Sequence, residues 1–194
     1  MVFLIALSRE TVEENIKGEW ASRRWVYEYL ETNKLITLTC RHLKQKLEDK
    51  GYKAVYIAPT GEFNPETPSS PWSHRHAGYV AGLGTFGVHN LLITRFGTAV
   101  RLGTLITNAS LPPTPRPKVE YCPEKRGVKC EVCLSRCPVN AFSDWQGEGK
   151  NRCYKRLEEN AKRYIIEGAA NILIRNINLP KNDIIRKTNK SDFE

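Results

Sequence analysis

Four of the chain's six cysteines fall between Cys122 and Pro138, in the run CPEKRGVKCEVCLSRCP. Seven residues separate Cys122 from Cys130, two separate Cys130 from Cys133, three separate Cys133 from Cys137, and Pro138 follows. An iron–sulfur cluster needs thiolates converging on one point. The C-x2-C-x3-C-P spacing places three on a tight turn, and the proline sends the chain away from it. Two other readings stand beside this one. Paired cysteines also bind zinc, although a zinc knuckle ordinarily adds a second pair or a His pair at fixed distance. Disulfides are the third reading, suited to small secreted chains rather than to one of this size and composition.

The remaining residues must build the frame that holds this run. With 194 residues, 40% of them hydrophobic and 26% charged, the chain is long enough for one well-buried core carrying a small cysteine-bearing appendage. Met1 to Leu7 is apolar but has no basic residue ahead of it and meets Ser8, Arg9 and Glu10, so it reads as a buried strand rather than an export signal. No stretch approaches the roughly 20 apolar residues of a membrane span, so a cytoplasmic protein with free thiols is expected.

Neither Gly nor Pro occurs from residue 19 to residue 50, and Trp25, Leu30, Leu35, Leu38, Leu43 and Leu47 recur at mostly helical intervals, which predicts one long helix or two in succession. Gly51 is placed to end it, and Tyr52 to Ala58 reads as a strand. Strand, helix, strand points to an α/β core in which a crossover helix joins parallel strands. Cys40, alone on this helix, reads as a core residue. Pro59 to Pro71 reads as a surface loop, Ser73 as the N-cap of a short helix running to Leu83 and ending at Gly84. Leu91 to Thr94 and Ala99 to Thr107, around Arg95-Phe96-Gly97-Thr98, read as a β-hairpin. Pro112, Pro113, Pro115 and Pro117 make Leu111 to Lys118 a stiff linker into Cys122, so the cysteine segment is expected to be a separate lobe.

Residues Ser73 to Asn108, with AGLGTFGVHNLLIT and then GTAVRLGTLITNA, followed by the cysteine run, resemble the epoxyqueuosine reductase-like iron–sulfur proteins, which are related to reductive dehalogenases. The resemblance covers about Met1 to Tyr154. It implies a nitroreductase-like mixed α/β core over residues 1–110 that binds cobalamin and, over 111–154, the proline linker with a ferredoxin-like cysteine-rich lobe; beyond it, spacing and charge make residues 155–194 a helical, basic tail. It further implies that Cys122, Cys130 and Cys133 serve a first 4Fe-4S cluster and Cys137 and Cys153 a second, with Gly82, Leu83 and Gly84 beside the corrin and His89 and Asn90 in the same groove. An electron donor such as a ferredoxin or flavodoxin, and tRNA, are the partners it implies. Three departures stand out: Glu62 and Glu66 occur where the family keeps an aspartate proton donor, its opening region is not seen ahead of Met1, and residues 154–194 contain no cysteine. A relative shortened at both ends is therefore expected.

Two 4Fe-4S clusters ordinarily take about eight cysteines, four for each. Five remain here once Cys40 is set aside. One cluster per chain is the expectation, built on Cys130, Cys133 and Cys137 with Cys122 or Cys153 as the fourth ligand. His74 and His76 lie two apart and so point to different faces of a helix, which argues against a shared metal. The charge of +9 is concentrated late, with +5 of it in residues 150–194, and it invites a nucleic-acid partner without supplying a recognition motif. Three functions compete: an iron–sulfur redox protein feeding a corrinoid, a non-catalytic or truncated electron-transfer module, and a zinc-stabilised RNA-binding protein. Helical spacing of Leu157, Ala161, Tyr164, Ile165 and Ala169 predicts a helix packed on the core, with a polar end from about Pro180.

Overall fold

A computed structural model describes residues 1–59, 63–64 and 66–166. The expected polar end from Pro180, together with Ala169 and the side chain of Ile165, lies outside the described residues. The chain is a mixed α/β structure with two small antiparallel sheets. Strand β1 (Val2–Ala6) is followed by helices α1 (Arg9–Lys17) and α2 (Arg23–Glu48), strand β2 (Ala54–Ile57), helix α3 (His74–Val80) and strands β3 (Gly84–Phe86), β4 (Leu92–Thr94) and β5 (Val100–Thr107). The one-turn helix α4 (Val132–Ser135) lies in the cysteine segment, and α5 (Lys150–Ile166) ends the described chain.

β5 is the centre of the larger sheet, in the order β1-β5-β2, antiparallel to both neighbours. β1 and β2 therefore run parallel to each other, as the strand-helix-strand order predicts, but β5 lies between them. The predicted hairpin does not form. Thr94 and Gly97 exchange hydrogen bonds at 3.0 and 2.9 Å across a tight turn with Gly97 at φ 83°, yet β4 pairs with β3 and β5 with β1 and β2. The physical reason is that β5 has eight residues whose N–H and C=O groups face two edges. The longer β1 and β2 satisfy both, whereas the three residues of β4 could cover only part of one.

α2 is one helix, not two. Ser22 caps it by accepting from Trp25 N at 3.1 Å, and Gly51, at φ 82°, closes its far end. Its buried stripe is Val26, Leu30, Ile36 and Cys40, which confirms Cys40 as core. Leu35 and Leu38, at 50% and 53% exposure, lie off that stripe, because leucine spacing alone does not fix the phase of the helix. α1, which apolar spacing does not reveal, starts at Ser8. The Ser8 amide and hydroxyl donate to the Glu28 carboxylate at 2.6 and 3.0 Å, pinning α1 to α2. α3 begins at the predicted cap Ser73 but ends at Val80, where Gly82 at φ 80° turns the chain into β3. Gly78 on α3 is buried, and a Cβ there would meet Leu92 Cδ2 at 2.8 Å, so the helix sits directly on β4 and β5. α5 packs on the core as predicted: Ala161 and Tyr164 are buried, Tyr164 among Val26 and Leu30 of α2. Leu157 of the same predicted face is half exposed.

The cysteine segment is not a lobe of its own. Tyr121 N donates to Thr85 Oγ1 on β3 at 2.9 Å, and Arg136 donates to Ile16 O on α1 at 2.6 Å, so the segment lies against the core at both ends.

Burial pushes the Glu28 carboxyl upward, but hydrogen bonds from Thr11 and Ser8 and the charge of Arg24 outweigh it, and its pKa is lowered overall. The stabilisation from Glu28 is therefore complete above the ordinary carboxylate range and is lost as pH falls through the lowered pKa. Glu28→Gln should cost about 1–2 kcal/mol near neutral pH, and thermal melts of the two proteins should converge in acid. Ile36→Ala, at a fully buried site, should cost about 2–5 kcal/mol at all pH values.

Candidate functional site

The thiols divide into two groups. Cys122 is buried, Cys130 exposed, and Cys133, Cys137 and Cys153 half-buried. Burial pushes the Cys133 thiol up, and the neighbouring thiols of Cys122 and Cys130 push it further. Burial likewise raises Cys153, with Cys137 as its neighbouring charge. Cys40 is raised by burial alone. Cys122, Cys130 and Cys133 thus form one neighbourhood and Cys137 with Cys153 another. Among the described residues, no three His, Cys, Asp or Glu side chains converge closely enough to hold a metal ion.

Side chains rather than regular secondary structure shape the loop that brings the first three together. After Cys122, Pro123 begins a 3-10 turn over Glu124–Arg126, and Gly127 at φ 79° reverses the chain. The Glu124 carboxylate then accepts from Cys130 N at 2.7 Å, closing the seven-residue spacer against its own start. Glu131, between Cys130 and Cys133, has φ 49°, a left-handed conformation uncommon for a residue of its type. On the other side of Pro138, Ala141 N donates to Cys137 Sγ at 3.3 Å. Arg152, adjacent to Cys153 on α5, donates to Val139 O and Asn140 O at 3.2 and 2.9 Å. That bracket sets the Cys137 loop beside Cys153.

Cys153 also lines a cleft of about 790 Å³. One part of its wall comes from Trp72, His74, Arg75 and His76, another from Trp145, Lys150, Cys153 and Tyr154 on and before α5. β4 and β5 contribute Leu92, Val100 and Leu102. Phe63 and Tyr154 meet with ring centroids 5.3 Å apart, and His76 lies 4.9 Å from the Phe86 ring. His74 is held apart from His76, as their spacing predicts: its Nδ1 is 2.8 Å from Thr104 Oγ1, while His76 Nδ1 is 2.7 Å from Ser73 Oγ. Burial lowers the pKa of His74, with the charge of Arg101 acting in the same direction.

Of the five residues expected to line a cofactor groove, Asn90 alone lines this cleft; Gly82, Leu83, Gly84 and His89 do not. Protein backbone occupies the space left by the two glycines. A Cβ on Gly82 would meet Thr114 O and Pro115 O at 2.9 and 2.8 Å, and one on Gly84 would meet the backbone of Ile93. The His89 ring lies over Gly87, and its Nδ1 accepts from Leu91 N at 3.0 Å. Sequence reasoning passed over Trp72, Arg75, Trp145, Lys150 and Tyr154. Their signal was weak: isolated aromatic and basic residues, scattered from 72 to 154.

The chain is similar to epoxyqueuosine reductases over part of its length. It is 31% identical over 126 residues to that of Aliivibrio fischeri, covering 64% of this chain and 30% of the relative. For the Salmonella typhimurium protein the identity is 29% over 116 residues, 59% of this chain and 29% of the relative. For the Vibrio cholerae protein it is 30% over 111 residues, 57% and 27%. The similarity is distant, and the chain matches less than a third of the length of these curated relatives. No family model matches the chain, and no solved structure matches it. Among the described residues no helix is long and apolar enough to cross a membrane.

The hydrogen bond from Cys130 N makes Glu124 the lock of the first thiol loop. Glu124→Ala should speed alkylation of Cys122, which is buried, while Glu124→Gln, which keeps an accepting oxygen, should leave it near the native rate. Peptide mapping after timed iodoacetamide treatment reads this directly. In the unaltered protein Cys130 should react first and Cys40 last, because Cys130 is exposed and Cys40 fully buried.

Proposed function

We propose that the chain is a redox protein of the epoxyqueuosine reductase type, in which cysteine thiolates hold an iron–sulfur cluster and electrons pass to a corrinoid-type cofactor in the neighbouring cleft. The observation that carries this reading is the position of Cys153, whose thiol neighbours Cys137 on one side and lines the cleft on the other. The donor chemistry fits an iron–sulfur centre: five free thiols in and beside one segment, three in one neighbourhood and two in the next. Cys130, Cys133 and Cys137 would supply three thiolates, with Cys122 or Cys153 as the fourth. When bound, such a cluster supplies one electron at a time. The protein's own part is to bring the loops together through Glu124, Thr85 and Arg152, and to keep water from Cys122 by burial.

The free thiols suit a reducing cytoplasm, with a ferredoxin or flavodoxin as electron donor. The charge of +9 suits a polyanionic partner, and tRNA is the one that the family resemblance implies.

Anaerobic reconstitution with iron and sulfide should give a brown protein with about four irons per chain. Cys133→Ala should be colourless, and Cys40→Ala should keep its colour. A colourless protein that takes up zinc instead would favour the zinc-stabilised RNA-binding reading. An iron content near that of two clusters would show further ligands beyond these four.

A further inference from the structure

Of the chain's thiols, Cys130 is the exposed one, and the chain around it is exposed without a break from Lys125 to Val132. Cys130 is a ligand of the cluster whether Cys122 or Cys153 completes the set. An electron passes between two proteins only where their redox centres come close, so the outward side of a cluster is where a carrier has to dock. The turn from Lys125 to Val132 is that side of this molecule.

Its surface has an apolar part and a charged part. Val128 and Val132, two residues to either side of Cys130, are each 56% exposed, and Val119, on the chain leading into Cys122, is 61% exposed. Side chains so exposed add little to the fold, whereas in a contact between proteins they supply its apolar centre. Lys125, Arg126 and Lys129 stand among them. No ion pair within the described residues engages any of the three. Lys125 reaches toward the Val119 side: the Glu120 carboxyl is lowered chiefly by its hydrogen bond from Thr85, and the charge of Lys125 acts in the same direction. Glu124 is taken up by Cys130 N at 2.7 Å, which leaves Glu131 as the exposed carboxylate of the run.

We propose that the turn from Lys125 to Val132, with Val119 beside it, is the docking surface for a small acidic protein that delivers electrons one at a time, the valines meeting its apolar centre and the three cations its carboxylates. The proposal rests on the redox reading, because it takes Cys130 to carry a cluster. Contacts between electron-transfer proteins are small, below about 1,200 Å², and complementary charge steers them, which is the scale and character of this surface. RNA would also answer the cations, but residues 125–132 hold no aromatic side chain on which a base could stack, and the valines offer it nothing.

The full chain, reconstituted anaerobically, is titrated by calorimetry with a flavodoxin, an acidic flavoprotein, and stopped-flow absorbance follows reduction of the cluster by the reduced flavodoxin. Binding should weaken at least about tenfold as salt rises from roughly 20 to roughly 200 mM. Lys125→Glu, Arg126→Glu and Lys129→Glu should each weaken it at least about threefold and slow reduction to match, and Val128→Ser should weaken it without changing the salt dependence. Iron content, and the rate of reduction by dithionite, which is too small to need a docking surface, should stay native in all four. Lys46→Glu and Lys53→Glu, at exposed positions on α2 and before β2, should bind as the native chain does. An affinity that falls no further in the turn variants than in these two, no flavodoxin binding at low salt, or turn variants that weaken binding of tRNA and not of flavodoxin would overturn the proposal. A colourless chain without iron would sink the redox reading and this proposal with it, whereas a brown chain that fails the titration sinks the proposal alone.

Discussion

β5 must be hydrogen-bonded along both of its edges, and the fold is arranged around that requirement. Thr104 shows the point at which the requirements meet. Its backbone stands opposite Val2 on one side and Ile57 on the other, and its hydroxyl meets His74 of α3 at 2.8 Å. The residue is nearly inaccessible to solvent, so each of these groups has to find a partner within the protein. On one face α2 covers the sheet with Ile36 and Cys40; on the other, α3 approaches closely enough that Gly78 leaves no room for a Cβ. The helix carrying His74, Arg75 and His76 is thus fixed by packing before any ligand is considered.

The thiols are held in a different way. Four of the five lie in chain with little regular structure, and no repeating backbone ladder sets their positions. Individual side chains do so: Thr85 receives Tyr121 N, Glu124 receives Cys130 N, and Arg152 reaches Val139 and Asn140. Such an arrangement lets a loop follow the geometry of what it binds, while a rigid sheet fixes where the loop begins and ends. The uncommon φ of Glu131, between two of the cysteines, fits a backbone shaped by where its thiols must go rather than by local preference.

What could be read from the sequence was local, and what could not was the choice of partner. β1, α2 with Gly51 at its end, the Ser73 cap and the buried Cys40 all follow from spacing and from the conformational habits of single residues. The turn at Arg95–Thr98 also exists, yet its flanking strands join different sheets, because the edges of β5 are satisfied by residues about 100 and 50 positions away. At Gly82 and Gly84, which the family resemblance places beside the corrin, the backbone of residues 114–115 and 93 stands where a Cβ would be, a long-range fact that local pattern cannot carry. Cys153 beside the cleft was not legible, since residues from 59 to 157 build that wall.

α5 is where these separate arrangements become one. It carries a single thiol, but its whole length is fastened to distant parts of the chain. Near its start, Arg152 holds the loop after Cys137; farther along, Arg156 donates to Glu19 O at 2.8 Å with its guanidinium 3.5 Å from the Trp20 ring. Asn160 accepts from Ala21 N at 3.2 Å, and the Tyr164 hydroxyl donates to Ala21 O. Exposed ion pairs would hold such a helix weakly. Here burial of Ala161 and Tyr164 and hydrogen bonds to backbone do so, on the segment just before α2. The segment Glu19–Ala21, with Val26 and Leu30 at the start of α2, therefore fixes the register of α5, and that register puts Cys153 toward Cys137 and the cleft at once. A shift of one residue along α5 would turn its side chains by about 100° and separate the thiol from both.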